Sequence, residues 1–191
     1  MSRGESILIR GRNCPANRRW PSFGNTRGLA PALQFSLASG LIFIARHWSL
    51  HDFIVDASVA LKWFVAETDA LVADELSASK HRLFAPRLIL TEVANALSRK
   101  ATAGLMSVAE SCTYFRSLPM YLDGLLAVDE LIEPALENAC AIRHPIYDLI
   151  YLEAARQLGG QLVTADRRFT AKIAGTGLAR HVMLLSDWRP E

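Results

Sequence analysis

The chain has three cysteines in 191 residues, Cys14, Cys112 and Cys140. An odd, widely spaced set builds no disulfide framework, and none stands at metal-ligand spacing. Five histidines are scattered without ligand spacing either. The expectation is of reduced thiols in a cytoplasmic protein. No internal repeat is visible. Long apolar runs are also scarce: Leu29 to Ala45, at 17 residues, sits at the lower limit for crossing a bilayer. Gln34, Ser36 and Ser39 interrupt it, and Pro31 lies near its start. Arg18-Arg19 ahead of it resembles a twin-arginine signal only loosely. Arg46-His47 stands where a cleavage site needs small residues. Neither export nor membrane anchoring is expected.

Charge divides the chain in two. Residues 1–51 hold seven arginines, no lysine and one acid, Glu5, a balance of +6. The remaining 14 Lys and Arg against 18 Asp and Glu give −4. Residues 1–51 are rich in Arg, Ser, Pro and Gly and show no sustained period before about Leu29. They read as a leader outside any domain, disordered or with a loose helix over 32–46. Arginine without lysine also fits translated upstream sequence, with the true start near Leu50. Residues 52–191 read as one domain. The 51% hydrophobic content of the chain excludes a disordered protein. This segment has no strongly basic patch for tight nucleic-acid binding.

From Asp52 the pattern is regular. Expected are a strand over 52–56, a helix through Phe64 and a second from Thr68 to Ser79, capped by Thr68. A strand over 82–85 follows, then Pro86 opening a long helix to Ala103 that Gly104 ends. Further helices are expected at 107–118, 129–143 and 145–158, the second tolerating Pro134 only in its first turn. A weak strand near Met120 to Leu122, strands over 161–165 and 181–185, and a helix over 167–174 complete the set. Alternating strands and helices imply a parallel sheet covered on both faces.

Four acids carry the chemistry. Asp56 ends the apolar run Phe53-Ile54-Val55 just before a helix, where open α/β sheets place ligands; it is also a natural helix N-cap. Asp166 repeats that arrangement after Gln161 to Ala165. Glu92 lies on a narrow polar stripe with Asn95 and Arg99, which also suits an exposed helix face. Asp148 occupies a helix first turn, where the dipole favours an acid in any case. If strands 53–56 and 161–165 are neighbours, the four carboxylates meet. Two such charges about 4 Å apart repel by roughly 4 kcal/mol at an effective dielectric of about 20. Protons or a cation must relieve that. All-oxygen ligation points to Mg²⁺ or Mn²⁺, and hence to phosphoryl chemistry.

In that order, FIVDASVALKW, LTEVANAL, YDLIYLEAA and LVTADRRF resemble the PIN-domain ribonucleases, especially the VapC-type toxins of toxin–antitoxin pairs. The likeness covers about residues 52–188. It implies a three-layer α/β/α fold around a mainly parallel sheet of four to five strands. It implies a Mg²⁺-dependent endoribonuclease whose catalytic, metal-binding acids are Asp56, Glu92, Asp148 and Asp166, with Asp56 and Asp148 foremost as ligands. Ser58 and Thr164 match small hydroxyl positions beside the acids, suited to a water or a phosphate oxygen. Asn95 matches a polar neighbour of the glutamate. Arg167 and Arg168 stand where they could contact the RNA backbone, or where a solvated helix simply begins. The expected reaction is hydrolysis with the 3′ oxygen leaving, giving 5′-phosphate and 3′-hydroxyl ends. The implied partner is a VapB-type antitoxin whose tail blocks the pocket. DNA would be met only through that antitoxin, and homodimers are common in the family. An apolar groove formed by Leu71 to Leu76 with Trp63 and Phe64 would suit a partner helix. Trp63, Phe64, Tyr147 and Tyr151 otherwise read as core or interface residues, and His144 as the start of a helix. An alternative is a catalytically weak PIN-like binding module in an antitoxin-bound autorepressor. A phosphatase on a doubly wound sheet would need a second acid where Ser58 stands.

Overall fold

A computed structural model describes residues 52–190. The expected leader, and its helix over 32–46, lie outside the described residues, as does Cys14. The central strand β1 (Asp52–Val55) is buried along its whole length. Its four side chains meet protein on both faces, as a strand inside a parallel sheet requires. β2 (Arg82–Pro86), β3 (Gly124–Leu126), β4 (Gln161–Thr164) and β5 (Val182–Leu184) join it. Among the described residues the sheet has five strands in the order β3-β2-β1-β4-β5, all parallel.

The helices are α1 (Ala57–Ala60), α2 (Ala70–Ala78), α3 (Leu88–Thr102), α4 (Val108–Ser117), α5 (Asp129–Ile142), α6 (Ile146–Leu158) and α7 (Arg167–Ile173). They flank the sheet in a three-layer α/β/α arrangement. From β1 the chain first runs outward through β2 to β3, then crosses back to β4 and β5. With right-handed crossovers, that reversal sends α1–α4 to one face and α5–α7 to the other. α3 packs on α1 and α4, while α6 lies on α5 and on β1, β2 and β4. Seven consecutive residues of α6, Leu149 to Ala155, are buried, so this helix is fixed in place on every side. Each fully buried Leu or Ile there contributes about 1.5–3 kcal/mol. Among the described residues no helix is long and apolar enough to cross a membrane.

Gly159 closes α6 in the left-handed conformation (φ 66°), which glycine adopts without strain. Gly160 is required for space: a Cβ there would sit 2.7 Å from the Asp52 carbonyl oxygen.

Several expected boundaries move, each for a local reason. The first helix tightens into a 3₁₀ turn over Leu61–Trp63 before reaching Phe64. α2 begins at Ala70, not Thr68: Lys62 Nζ donates to the Thr68 carbonyl at 2.8 Å, and the chain turns at Asp69 (φ 64°). Pro86 ends β2 instead of opening α3. It lies past Phe84, the last residue of β2 paired with β1, so its missing N–H breaks no ladder bond on that side. The strand expected near Met120 to Leu122 is a 3₁₀ turn over Leu118–Tyr121 with Pro119 at its start. The strand forms later, at Gly124–Leu126, where Gly124 fits against the Phe84 ring. Pro134 lies in the second turn of α5 rather than the first. The bond it forgoes would reach Glu130, which is exposed, so water serves that carbonyl.

Candidate active site

Register decides where the acids meet. Phe53 pairs with Gln161 and Val55 with Val163, so β1 and β4 end level. Their boundary is also where the strand order reverses, the crevice in which open α/β sheets bind ligands. Asp56 follows β1 directly, and its backbone N–H donates to the Val163 carbonyl at 3.1 Å.

The Asp56 carboxylate is only 8% exposed. Its Oδ2 accepts from Ser58 Oγ at 2.7 Å and from Thr164 Oγ1 at 2.5 Å. Oδ1 accepts from the Ser58 N–H at 3.3 Å, so Asp56 also caps α1. The hydroxyls pass the connection on: Ser58 Oγ accepts from the Ala165 N–H at 3.0 Å, and Thr164 Oγ1 from the Asp166 N–H at 3.0 Å. Both hydroxyls thus tie Asp56 to the end of β4. All these donors are neutral. At the other end of β1, by contrast, Asp52 is gripped by the Arg82 guanidinium, Nε donating at 2.8 Å.

Burial pushes the Asp56 carboxyl above the ordinary aspartate range. The bonds from Thr164 and Ser58 pull it partly back, and the negative charge of Asp148 pushes it up again. Glu92, on α3, is raised first by burial, with a hydrogen bond from Tyr151 opposing and the charges of Asp56 and Asp148 adding to the rise. Asp56, Glu92 and Asp148 therefore share one electrostatic pocket, although 36 and 56 residues separate neighbours in the sequence.

Each acid is turned onto a protein donor. Tyr151 Oη donates to Glu92 Oε2 at 2.6 Å. His144 Nε2 lies 2.6 Å from Asp148 Oδ2, and its ring packs at 5.0 Å on Phe169 of α7. Asp166 caps α7, its Oδ1 accepting from the N–H groups of Arg168 (2.7 Å) and Phe169 (3.0 Å). It joins the site through its backbone bond to Thr164. Asn95 is exposed on α3 one turn beyond Glu92, and Arg167 and Arg168 are exposed in the first turn of α7.

The donor chemistry fits a hard divalent cation: carboxylate oxygens, mutually repelling, with a buried charge that no cation among the described residues offsets. It is a fit of chemistry and proximity, not a ready-made chelate. Among the described residues no three His, Cys, Asp or Glu side chains converge closely enough to hold a metal as they stand. Asp56, Glu92 and Asp148 are the residues that could hold one, Asp56 and Asp148 by turning from their present partners and Glu92 through Oε1 while Tyr151 keeps Oε2.

Two site residues escaped the sequence reading. His144 was expected only to open a helix, and Tyr151 to fill core. The second was legible in part, because Asp148 and Tyr151 stand three apart on one helix face. What a tyrosine hydroxyl will touch across 59 residues has no signal in spacing.

Comparisons with known proteins bear on the family and the fold. A PIN domain family model matches residues 53–174. Ribonuclease VapC3 of Pyrobaculum aerophilum is 29% identical over 123 residues, 62% of this chain and 92% of that protein. A crystal structure of a Pyrobaculum aerophilum protein superposes with a TM-score of 0.56 at 24% identity, covering 73% of this chain and 93% of that one. A toxin–antitoxin complex from Klebsiella pneumoniae gives a TM-score of 0.51 at 14% identity, over 69% and 96%. These two likenesses concern the fold. With most of the described residues inside the matched region, and its strand ends and acids placed as above, the chain belongs to the PIN domain family.

Proposed function

We propose that this protein is a metal-dependent endoribonuclease that hydrolyses RNA phosphodiesters as the toxin of a toxin–antitoxin pair. The observation that carries the reading is the electrostatic coupling of Asp56, Glu92 and Asp148 at the sheet's switch point, with Asp56 buried and met only by neutral donors. A relative over most of its own length is a ribonuclease by name, which supports RNA as the substrate.

Asp56, Glu92 and Asp148 would hold Mg²⁺ or Mn²⁺, and Asp166 would complete the acidic rim. When bound, such an ion supplies an activated water and stabilises charge on the phosphodiester oxygens. The chain's own residues do the rest. Thr164 and Ser58 hold Asp56 at the ends of β1 and β4. Arg167 and Arg168, exposed beside Asp166, offer guanidinium groups to the RNA backbone. Asn95 presents a neutral polar group one turn from Glu92. Hydrolysis breaks the bond to the 3′ oxygen, which leaves with a proton, while the attacking water's oxygen stays on phosphorus.

A cleft of about 440 Å³ supports a protein partner: Trp63, Phe64, Val65, Leu71 and Val72 line it together with the charged Lys62, Glu67 and Asp69. Leu71 is 59% exposed there, an apolar side chain suited to a helix of a VapB-type antitoxin. DNA contact falls to that antitoxin, and the complex acts in the cytoplasm.

The test is cleavage of single-stranded RNA by the full chain with Mg²⁺ or Mn²⁺. Products should carry 5′-phosphate and 3′-hydroxyl ends, and EDTA should stop the reaction. Asp56→Asn should lower kcat by at least 100-fold while the protein stays folded; cleavage at the wild-type rate by that variant would end the proposal.

A further inference from the structure

Tyr151 is 1% exposed and heads the fully buried side chains by size. A buried tyrosine hydroxyl must find a partner, and most partners would be structural. Here the partner is Glu92, on another helix and inside the acid pocket. Tyr151 also lies near enough to Asp56 and Asp148 to feel their charges as well as that of Glu92.

The supporting geometry is that of α6. Asp148 and Tyr151 stand at i and i+3 of a helix buried from Leu149 to Ala155, so one rigid element sets both. Glu92 projects from α3 on a flexible side chain with three rotatable bonds, whose freedom costs free energy to restrain. A bond to Oε2 restrains it and leaves the lone pairs of Oε1 for a cation.

We propose that Tyr151 is a positioning residue, whose hydroxyl holds the Glu92 carboxylate beside Asp56 and Asp148 so that a divalent cation meets a preset oxygen ligand. This rests on the metal-dependent reading above. The ring of Tyr151 fills the core; the hydroxyl serves the site.

The experiment measures Mn²⁺ binding to the full chain by electron paramagnetic resonance, with melting temperatures in EDTA. The proteins are the wild type, Tyr151→Phe, Glu92→Gln and the double variant. Tyr151→Phe should bind Mn²⁺ about 10-fold more weakly, as loss of a ligand's supporting partner does. It should melt within a few degrees of the wild type. If the hydroxyl acts through Glu92, the double variant binds no more weakly than Glu92→Gln alone. Undiminished Mn²⁺ affinity in Tyr151→Phe, additive losses in the double variant, or a collapsed melting temperature would each overturn the assignment. A wild type that binds no Mn²⁺ overturns the metal-dependent reading, and this proposal with it.

Discussion

Replacing Asp56 with asparagine should make the protein more stable while it abolishes the proposed activity. The buried carboxylate is repelled by Asp148 and by Glu92 and receives only neutral hydrogen bonds. At an effective dielectric of about 20, like charges several ångströms apart repel by roughly 2 kcal/mol, less what solvent screens at the partly exposed partners. An asparagine amide oxygen in the place of Oδ2 still accepts from Ser58 and Thr164. Its NH₂ then faces the Ser58 N–H in place of Oδ1, losing a bond worth about 1 kcal/mol. The net expectation is a gain of about 1–3 kcal/mol, with roughly 2–4 °C in melting temperature for each. The pH dependence fixes the sign. The folded protein holds the Asp56 proton more tightly than the unfolded chain does, so wild-type stability rises as pH falls through the raised folded pKa. That rise is complete below the unfolded value near 3.8. The advantage of the variant is therefore largest above the folded pKa and shrinks through that window. Thermal melts in EDTA from pH 8 to pH 4 measure it. Mg²⁺ should raise the melting temperature of the wild type and leave the variant unmoved. A variant that melts at or below the wild type at pH 8 would refute the account of Asp56 as an uncompensated buried charge.

Asp166→Asn separates two roles, because asparagine caps a helix about as well as aspartate. Stability should change by less than about 0.5 kcal/mol, while RNA cleavage falls at least 10-fold if the charge belongs to the acidic rim; unchanged cleavage would assign Asp166 to capping alone. Gly160→Ala drives a Cβ to 2.7 Å from the Asp52 carbonyl. It should cost about 1–3 kcal/mol as a forced overpacking, read by urea denaturation, and a neutral result would contradict the close approach of α6's end to β1.

The alternation of strands and helices was written locally and survived folding. Phe53-Ile54-Val55 is apolar enough to be a strand buried on both faces, and Gly159-Gly160 ends α6 because glycine alone suits that turn and that contact. The acids were legible as candidates for the same reason: Asp56 and Asp166 each follow an apolar run and precede a helix, and both do cap one. Boundaries moved where a contact outside the element's own period intervened. Lys62 captured the Thr68 carbonyl, and the third strand waited for Gly124 to lie against Phe84. Spacing along the chain could name four carboxylates but not weigh them. Their unequal standing came from the parallel register of β1 and β4, which levels two strand ends, and from the packing of α6. Burial and through-space charge act on distance, which the sequence does not contain. So the residue types and their order set the fold class and nominated the chemistry. Only the folded chain made Asp56 the buried charge, left Asp166 a helix cap tied in through Thr164, and brought Tyr151 and His144 to the acids.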